Sequence, residues 1–170
     1  MWLLLGSLTI LFAAFSSAYI VRVGPLSERL TLPAILWWNT ALLVAGSGLL
    51  VGAVRAVRRS AWSKGRRLLG MALLCGALFL VGQLEAWRSL AAQGVFLQTH
   101  PASSFFYVLT AVHGLHLLGG LIALGWALGQ SARPQAPVSS RLRRVVENAA
   151  LYWHFLGLIW LWVFALLGLL

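Results

Sequence analysis

The sequence predicts an all-α integral membrane bundle of five transmembrane helices, with the amino terminus inside and the carboxyl terminus outside. Three observations carry that expectation. Of the 170 residues, 61% are hydrophobic and 9% are charged, against about 45–50% and about 25% in a soluble domain. A soluble globule of this size has too little interior to hide so much apolar surface. Five stretches, 2–23, 33–54, 68–92, 104–129 and 147–170, each reach the roughly 20 apolar residues that cross a bilayer core about 30 Å thick as a helix. Finally, 13 Lys and Arg stand against 3 acidic residues, a formal net charge of +10, and the bases are concentrated in two loops. The chain reads as one transmembrane domain.

Lipid offers no partner for a free backbone amide, so each stretch is read as a helix. The alternation of apolar and polar residues that a membrane barrel requires is absent from the sequence. The first span, from Trp2 to Val23, has a rival reading as a cleaved signal peptide, because Ser16-Ser17-Ala18 resembles a small-residue cleavage site. Against it, no Lys or Arg precedes the apolar run, which continues through Tyr19-Ile20-Val21. Residues 24–32 (GPLSERLTL) are turn-like, and Pro33 suits the first turn of the second helix.

The segment between the second and third spans carries Arg55, Arg58, Arg59, Lys64, Arg66 and Arg67, and the one between the fourth and fifth carries Arg133, Arg141, Arg143 and Arg144 beside Pro134 and Pro137. Arg22, Arg29 and Arg88 lie at the other ends of the helices. Helices that alternate in direction put both basic loops on one side, which the positive-inside rule makes cytoplasmic. The excess of positive charge is thus a topology signal, and nucleic acid is not required as a partner. Cys75, the one cysteine, lies in an apolar run and offers neither a disulfide framework nor a thiolate metal cluster.

Polar and ionisable residues inside membrane spans are costly, which makes each a functional candidate. Asn39, Gln83, Glu85, His113, His116, His154 and Glu147 form that set. His113 and His116, three residues apart, share a face of the fourth helix. At 1.5 Å per residue, His116 lies roughly 18 Å from the outer end of its helix and His154 about 10 Å from the inner end of the fifth, so the two approach one depth. Imidazoles on facing helices suit a haem or metal, with Gly114, Gly119 and Gly120 opening a slot. The competing reading is interhelical hydrogen bonding, favoured because no carboxylate or Cys-x-x-Cys-His accompanies the histidines. Glu85 and Arg88 read as an interfacial pair, and Glu147 as a charge opening the fifth helix beside Arg143 and Arg144.

Gly48-Leu-Leu-Val-Gly52 and Gly125-Trp-Ala-Leu-Gly129 match the spacing for close helix contact. Trp2, Trp37, Trp38, Trp62, Trp87 and Trp126 fall near span ends, as in an aromatic belt. Trp153, Trp160 and Trp162 fall deeper and suggest packing against another helix or protein.

The run Phe105–Gly120, FFYVLTAVHGLHLLGG, resembles a signature of cytochrome c oxidase subunit III. So do Tyr152-Trp153-His154-Phe155 followed by Trp160, Trp38-Asn39-Thr40, and Gln83 with Ala86-Trp87 and Gly94. The resemblance covers nearly the whole chain and matches the last five helices of a seven-helix long form. It implies a bacterial inner-membrane subunit of a haem–copper terminal oxidase, either a cytochrome c or a quinol oxidase, in a respiratory chain that reduces oxygen and pumps protons. The haem and copper would sit in the catalytic subunit I, with none in this chain and no active site of its own. It would contact subunit I directly, join subunit II and other small subunits, bind phospholipid and support proton uptake. Asn39, Gln83, Glu85, His113, His116 and His154 would then make interhelical or lipid contacts. Two departures are visible: Leu8 follows Ser7 where many members have Glu, and Gly157 stands where many have an acid. A subunit-III-like accessory protein of a nitric oxide reductase and a bis-histidine electron carrier remain as alternatives. A small transporter would show repeated halves, and the sequence shows none.

Overall fold

A computed structural model describes residues 2–23, 32–131 and 140–169. Arg29, Arg133, Pro134 and Pro137 lie outside the described residues. The described chain is helical: α1 Trp2–Val23, α2 Ile35–Arg58, α3 Trp62–Ala92, α4 Pro101–Ser131 and α5 Ser140–Leu169. All five are long and apolar enough to cross a membrane. Their buried residues recur every three or four positions, as in Leu5, Leu8, Phe12, Ser16, Tyr19 and Val23 of α1, the spacing of one helix face. Large apolar side chains also point outward, among them Trp37, Trp38, Leu74, Val81, Leu115 and Ile122. That outward distribution is stable only where the surroundings are themselves apolar.

Helices α2 to α5 close a ring in which α2 packs on α3, α3 on α4, α4 on α5 and α5 back on α2, while α1 lies against α4 and α5. The α2–α3 pairing is the most extensive. The diagonals of the ring are filled by aromatic side chains from α5. The Trp153 ring lies against Gly46 of α2 and Gly76 of α3, so closely that a Cβ at either would fall 2.7 Å from it. The Trp160 ring meets Phe79 of α3 edge-on at 4.8 Å between centroids. Trp153 and Trp160 are thus buried inside this chain's own bundle, whereas Trp162 is exposed.

Two helix ends explain the hairpin at each end of α3. At the end of α2, Ser60 N–H donates to Val57 O at 3.1 Å and Ala61 N–H to Ala56 O at 2.9 Å, with Ser60 at φ +57°. At the end of α3, Gly94 N–H donates to Ala91 O and Val95 N–H to Leu90 O, both at 3.0 Å, with Gly94 at φ +78°. Both are left-handed caps that satisfy the last free carbonyls. Pro101 then opens α4, and Ser103 Oγ accepts the His100 N–H at 3.1 Å, closing its first turn.

The helices run past the apolar spans into the basic loops. α3 begins at Trp62 and α5 at Ser140, so Glu147 lies about two turns inside α5 rather than at its first turn. Its charge is held by side chains: Arg58 Nε at 2.8 Å and Arg143 Nε at 3.3 Å. The Arg58 contact was not expected from sequence, since 89 residues separate the two. It joins the end of α2 to the beginning of α5, which puts Arg55, Arg58 and Arg59 at the same end of the bundle as Arg141, Arg143 and Arg144.

The glycines that mediate close packing differ from those that spacing suggested. Around Gly48, Gly125 and Gly129 nothing lies within 4 Å of an added Cβ, and only Gly52 of the four meets a neighbour, Leu68. Of the close approaches, at Gly46, Gly52, Gly65, Gly76, Gly82 and Gly120, only Gly52 belongs to a predicted pair. A spacing of four is satisfied on the lipid-facing side as readily as on the buried side, so it carries no information about direction.

Candidate functional site

Three of the predicted polar residues are buried inside the four-helix ring. Asn39, Gln83 and His113 are 1%, 3% and 0% exposed. Each follows from helix periodicity: Leu36, Asn39 and Leu43 on α2, Phe79, Gln83 and Ala86 on α3, and Leu109, His113 and Leu117 on α4 all lie on buried stripes. The Asn39 amide lies flat on the α3 backbone at Gly82, where an added Cβ would collide with its Oδ1 and fall 3.0 Å from Cγ. Glycine is required there by close approach, and Asn39 is thereby placed beside Gln83.

His113 is enclosed by aromatic rings. Its ring centroid lies 5.1 Å from Trp160, 5.8 Å from Phe79 and 6.4 Å from Phe12. The Trp160 indole closes the circuit back to α2, since its Nε1 donates to Thr40 Oγ1 at 2.9 Å. Asn39 Nδ2, both Gln83 amide atoms and both His113 ring nitrogens have no hydrogen-bond partner within the chain.

The other candidates fall elsewhere. His116 shares Phe12 with His113, at 6.2 Å between centroids, as expected for residues three apart. Its Nδ1 donates to Val112 O at 2.7 Å, a bond within its own helix. Tyr152 of α5 packs on Gly120 and donates from its hydroxyl to His116 O at 3.1 Å, so α4 and α5 do share a depth at this point. Direction separates the histidines. At 100° per residue, Tyr152 faces α4, Trp153 faces the bundle axis and His154 faces α2, where it lines a recess of about 250 Å³ with Thr40, Ser47 and Gly157. The shared depth of His116 and His154 therefore does not make them facing ligands. Among the described residues, no three His, Cys, Asp or Glu side chains are grouped to hold a metal ion. Glu85 and Arg88 are an exposed pair, 3.5 Å apart.

Several residues that position the site were not singled out from sequence. Thr110 accepts the Trp87 indole N–H at 3.0 Å while donating to Phe106 O at 2.7 Å. Ser16 of α1 accepts the Trp162 indole N–H at 3.0 Å. Tyr107 donates to Val95 O at 2.9 Å, tying α4 to the connection after α3. The available signal was the indole itself, because a Trp N–H in an apolar setting requires an acceptor. Which Thr or Ser supplies it depends on helix neighbours that sequence does not name.

What these features define is a polytopic membrane protein whose polar side chains join helix to helix. The family follows from comparison. Residues 28–168 match the family model described as cytochrome c oxidase subunit III, and the chain belongs to that family. It is 28% identical to cytochrome c oxidase subunit 3 of Bacillus sp. strain PS3, over 99% of this chain and 83% of that protein. It is 33% identical to cytochrome c oxidase subunit 3 of a Synechocystis strain, over 84% of this chain and 58% of that protein. To a probable cytochrome c oxidase subunit 3 of Nocardia farcinica it is 32% identical, over 74% of this chain and 61% of that protein. The chain thus spans under two thirds of the length of some relatives and about four fifths of others.

Proposed function

We propose that the protein is the non-catalytic subunit III of a bacterial haem–copper terminal oxidase, residing in the inner membrane with its amino terminus inside and carboxyl terminus outside. It packs directly on the catalytic subunit I, where the haem and copper lie, within a complex that includes subunit II and smaller subunits. In that position it stabilises subunit I and its proton uptake, and phospholipid fills the grooves between its helices. Asn39, Gln83 and His113 act as interhelical anchors, while Glu85 faces lipid or partner and His154 lines the recess against α2.

The observation that carries this reading is the family match over 28–168. Three features support it. The buried polar residues are enclosed by their own bundle, as in a scaffold. The outer faces are apolar and continuous, with Met71, Leu74, Leu78 and Val81 on α3 and Leu158, Leu161 and Trp162 on α5 all exposed. An apolar groove of about 540 Å³ between α1 and α5, lined by Phe12, Ile20, Leu158 and Trp162 among others, has the apolar character for an acyl chain. The proposed orientation is supported by the Arg58–Glu147 contact, which joins the basic end of α2 to the basic start of α5, because positively charged segments are retained in the cytoplasm.

The test is purification of the tagged full chain from its native membranes in mild detergent. A haem–copper subunit I co-eluting with oxidase activity is the expected result. Recovery of the chain only as a homo-oligomer, or with a nitric oxide reductase, would overturn the assignment. A Soret band retained by the chain without subunit I would overturn the non-catalytic role. Reporter fusions in the loop around Ser60 and after Leu97 read the orientation, with the first expected in the cytoplasm and the second outside.

A further inference from the structure

We propose that Asn39, Gln83 and His113 form a hydration site at the centre of the bundle, where ordered water joins their polar atoms across α2, α3 and α4. A chain of contacts links the three positions. Asn39 rests on Gly82, the residue before Gln83. Phe79 lies one turn from Gln83 on the same face of α3 and meets both His113 and Trp160. Trp160 in turn meets His113 and donates to Thr40, the neighbour of Asn39.

Among these residues five buried polar atoms have no partner in the chain. A membrane interior supplies none either, and a buried polar group left unpaired costs about 1–3 kcal/mol on protein scales. Several such costs in one place are not sustained without a guest. The guest's chemistry follows from the inventory. The unpartnered amide and neutral imidazole atoms present five N–H groups against two acceptor atoms. A guest must therefore accept more than it donates, yet still donate to the Gln83 carbonyl and the free imidazole nitrogen. Water does both. A charged guest would lose its hydration with no formal charge among these groups to offset the loss. An internal water makes about three hydrogen bonds and accepts at most two of them, so about three molecules satisfy the five N–H groups.

On the α3–α4 side a recess of about 310 Å³ has Gln83, Thr110 and Gly114 in its wall, and Gly114 adjoins His113. Thr110 is occupied by Trp87 and Phe106, which leaves Gln83 as the polar residue of that wall without a partner in the chain.

The experiment is proton-detected solid-state NMR on the full chain in lipid bilayers, with nitrogen-15 in histidine and in the Asn and Gln side chains. His113 is assigned by the signal lost in His113→Phe. The expected result is magnetisation transfer from water to the His113 ring N–H and the Gln83 amide, with a ring shift of a hydrogen-bonded imidazole. Gln83→Leu then abolishes the transfer to His113 and leaves His154, in its separate recess, unchanged. Water transfer absent from His113 in the unmutated chain overturns the proposal, whatever the variants do. So does a direct Gln83–His113 coupling across a hydrogen bond, which would mean that the side chains satisfy each other.

Discussion

Substituting Gly82 by alanine tests the close contact on which the polar cluster depends, and its sign is set by two opposing effects. Ala is favoured over Gly within a helix by about 1 kcal/mol. The new methyl, however, would collide with Asn39 Oδ1 and lie 3.0 Å from Cγ and 3.2 Å from Nδ2. Asn39 is 1% exposed, so its amide has no open space to swing into, and overpacking of this kind costs about 1–3 kcal/mol. The expected outcome is a net loss of up to about 2 kcal/mol for Gly82→Ala. In an Asn39→Ala background the obstructing amide is gone, and the same substitution stabilises by about 0.5–1 kcal/mol. The coupling between the two sites is then about 1–3 kcal/mol. Reversible unfolding in mixed detergent and SDS micelles, followed by far-ultraviolet circular dichroism, reads all four proteins. Gly48→Ala and Gly119→Ala, where nothing lies within 4 Å of the added carbon, are the controls and are expected to stabilise. If Gly82→Ala stabilises equally in both backgrounds, Asn39 does not rest on α3 and the geometry of the cluster is wrong.

Other perturbations separate the remaining contacts. Trp160→Phe, which keeps the ring against Phe79 and removes the bond to Thr40, is expected to cost about 0.6 kcal/mol and at most about 1.7, the range for such bonds between membrane helices; Thr40→Val in the same background should add almost nothing. Gly94→Ala forces a side chain into the left-handed region at φ +78° and should lower stability by about 1–2 kcal/mol, measured in the same micelles. Arg58→Gln breaks the α2–α5 ion pair, whose side chains are 58% and 27% exposed. The loss should stay below about 1 kcal/mol and vanish in high salt, and a larger effect independent of salt would give that contact a structural weight the geometry does not support.

Much of the fold was legible because hydropathy and charge act locally. Five apolar runs of spanning length specify five helices, and the clustering of bases specifies which connections share a side. Which of the polar residues in the spans are buried was not legible, since Asn39, Gln83 and His113 are buried while Glu85 is exposed and His154 lines a recess. Nor were partnerships. Glu147 was read with Arg143 and Arg144, yet Arg58 of α2 approaches it more closely, because an ion pair depends on helix ends meeting in space. His116 and His154 were matched in depth, and depth alone cannot tell that 154 faces α2 while 152 faces α4. The paired-glycine motifs failed for the same reason, as a spacing of four says that two residues share a face and leaves open which face it is.

Hydrophobicity is a property of each residue and its immediate neighbours, so the sequence alone determined that this chain is a membrane bundle and how many helices of spanning length it has. Direction around each helix axis depends on which helices pack together, and that is a collective result of shape. Only the tertiary structure therefore decided that Gly46, Gly76 and Gly82 are among the points of close approach, that Trp153 and Trp160 fill the bundle interior, and that Asn39, Gln83 and His113 are buried there while His154 is not.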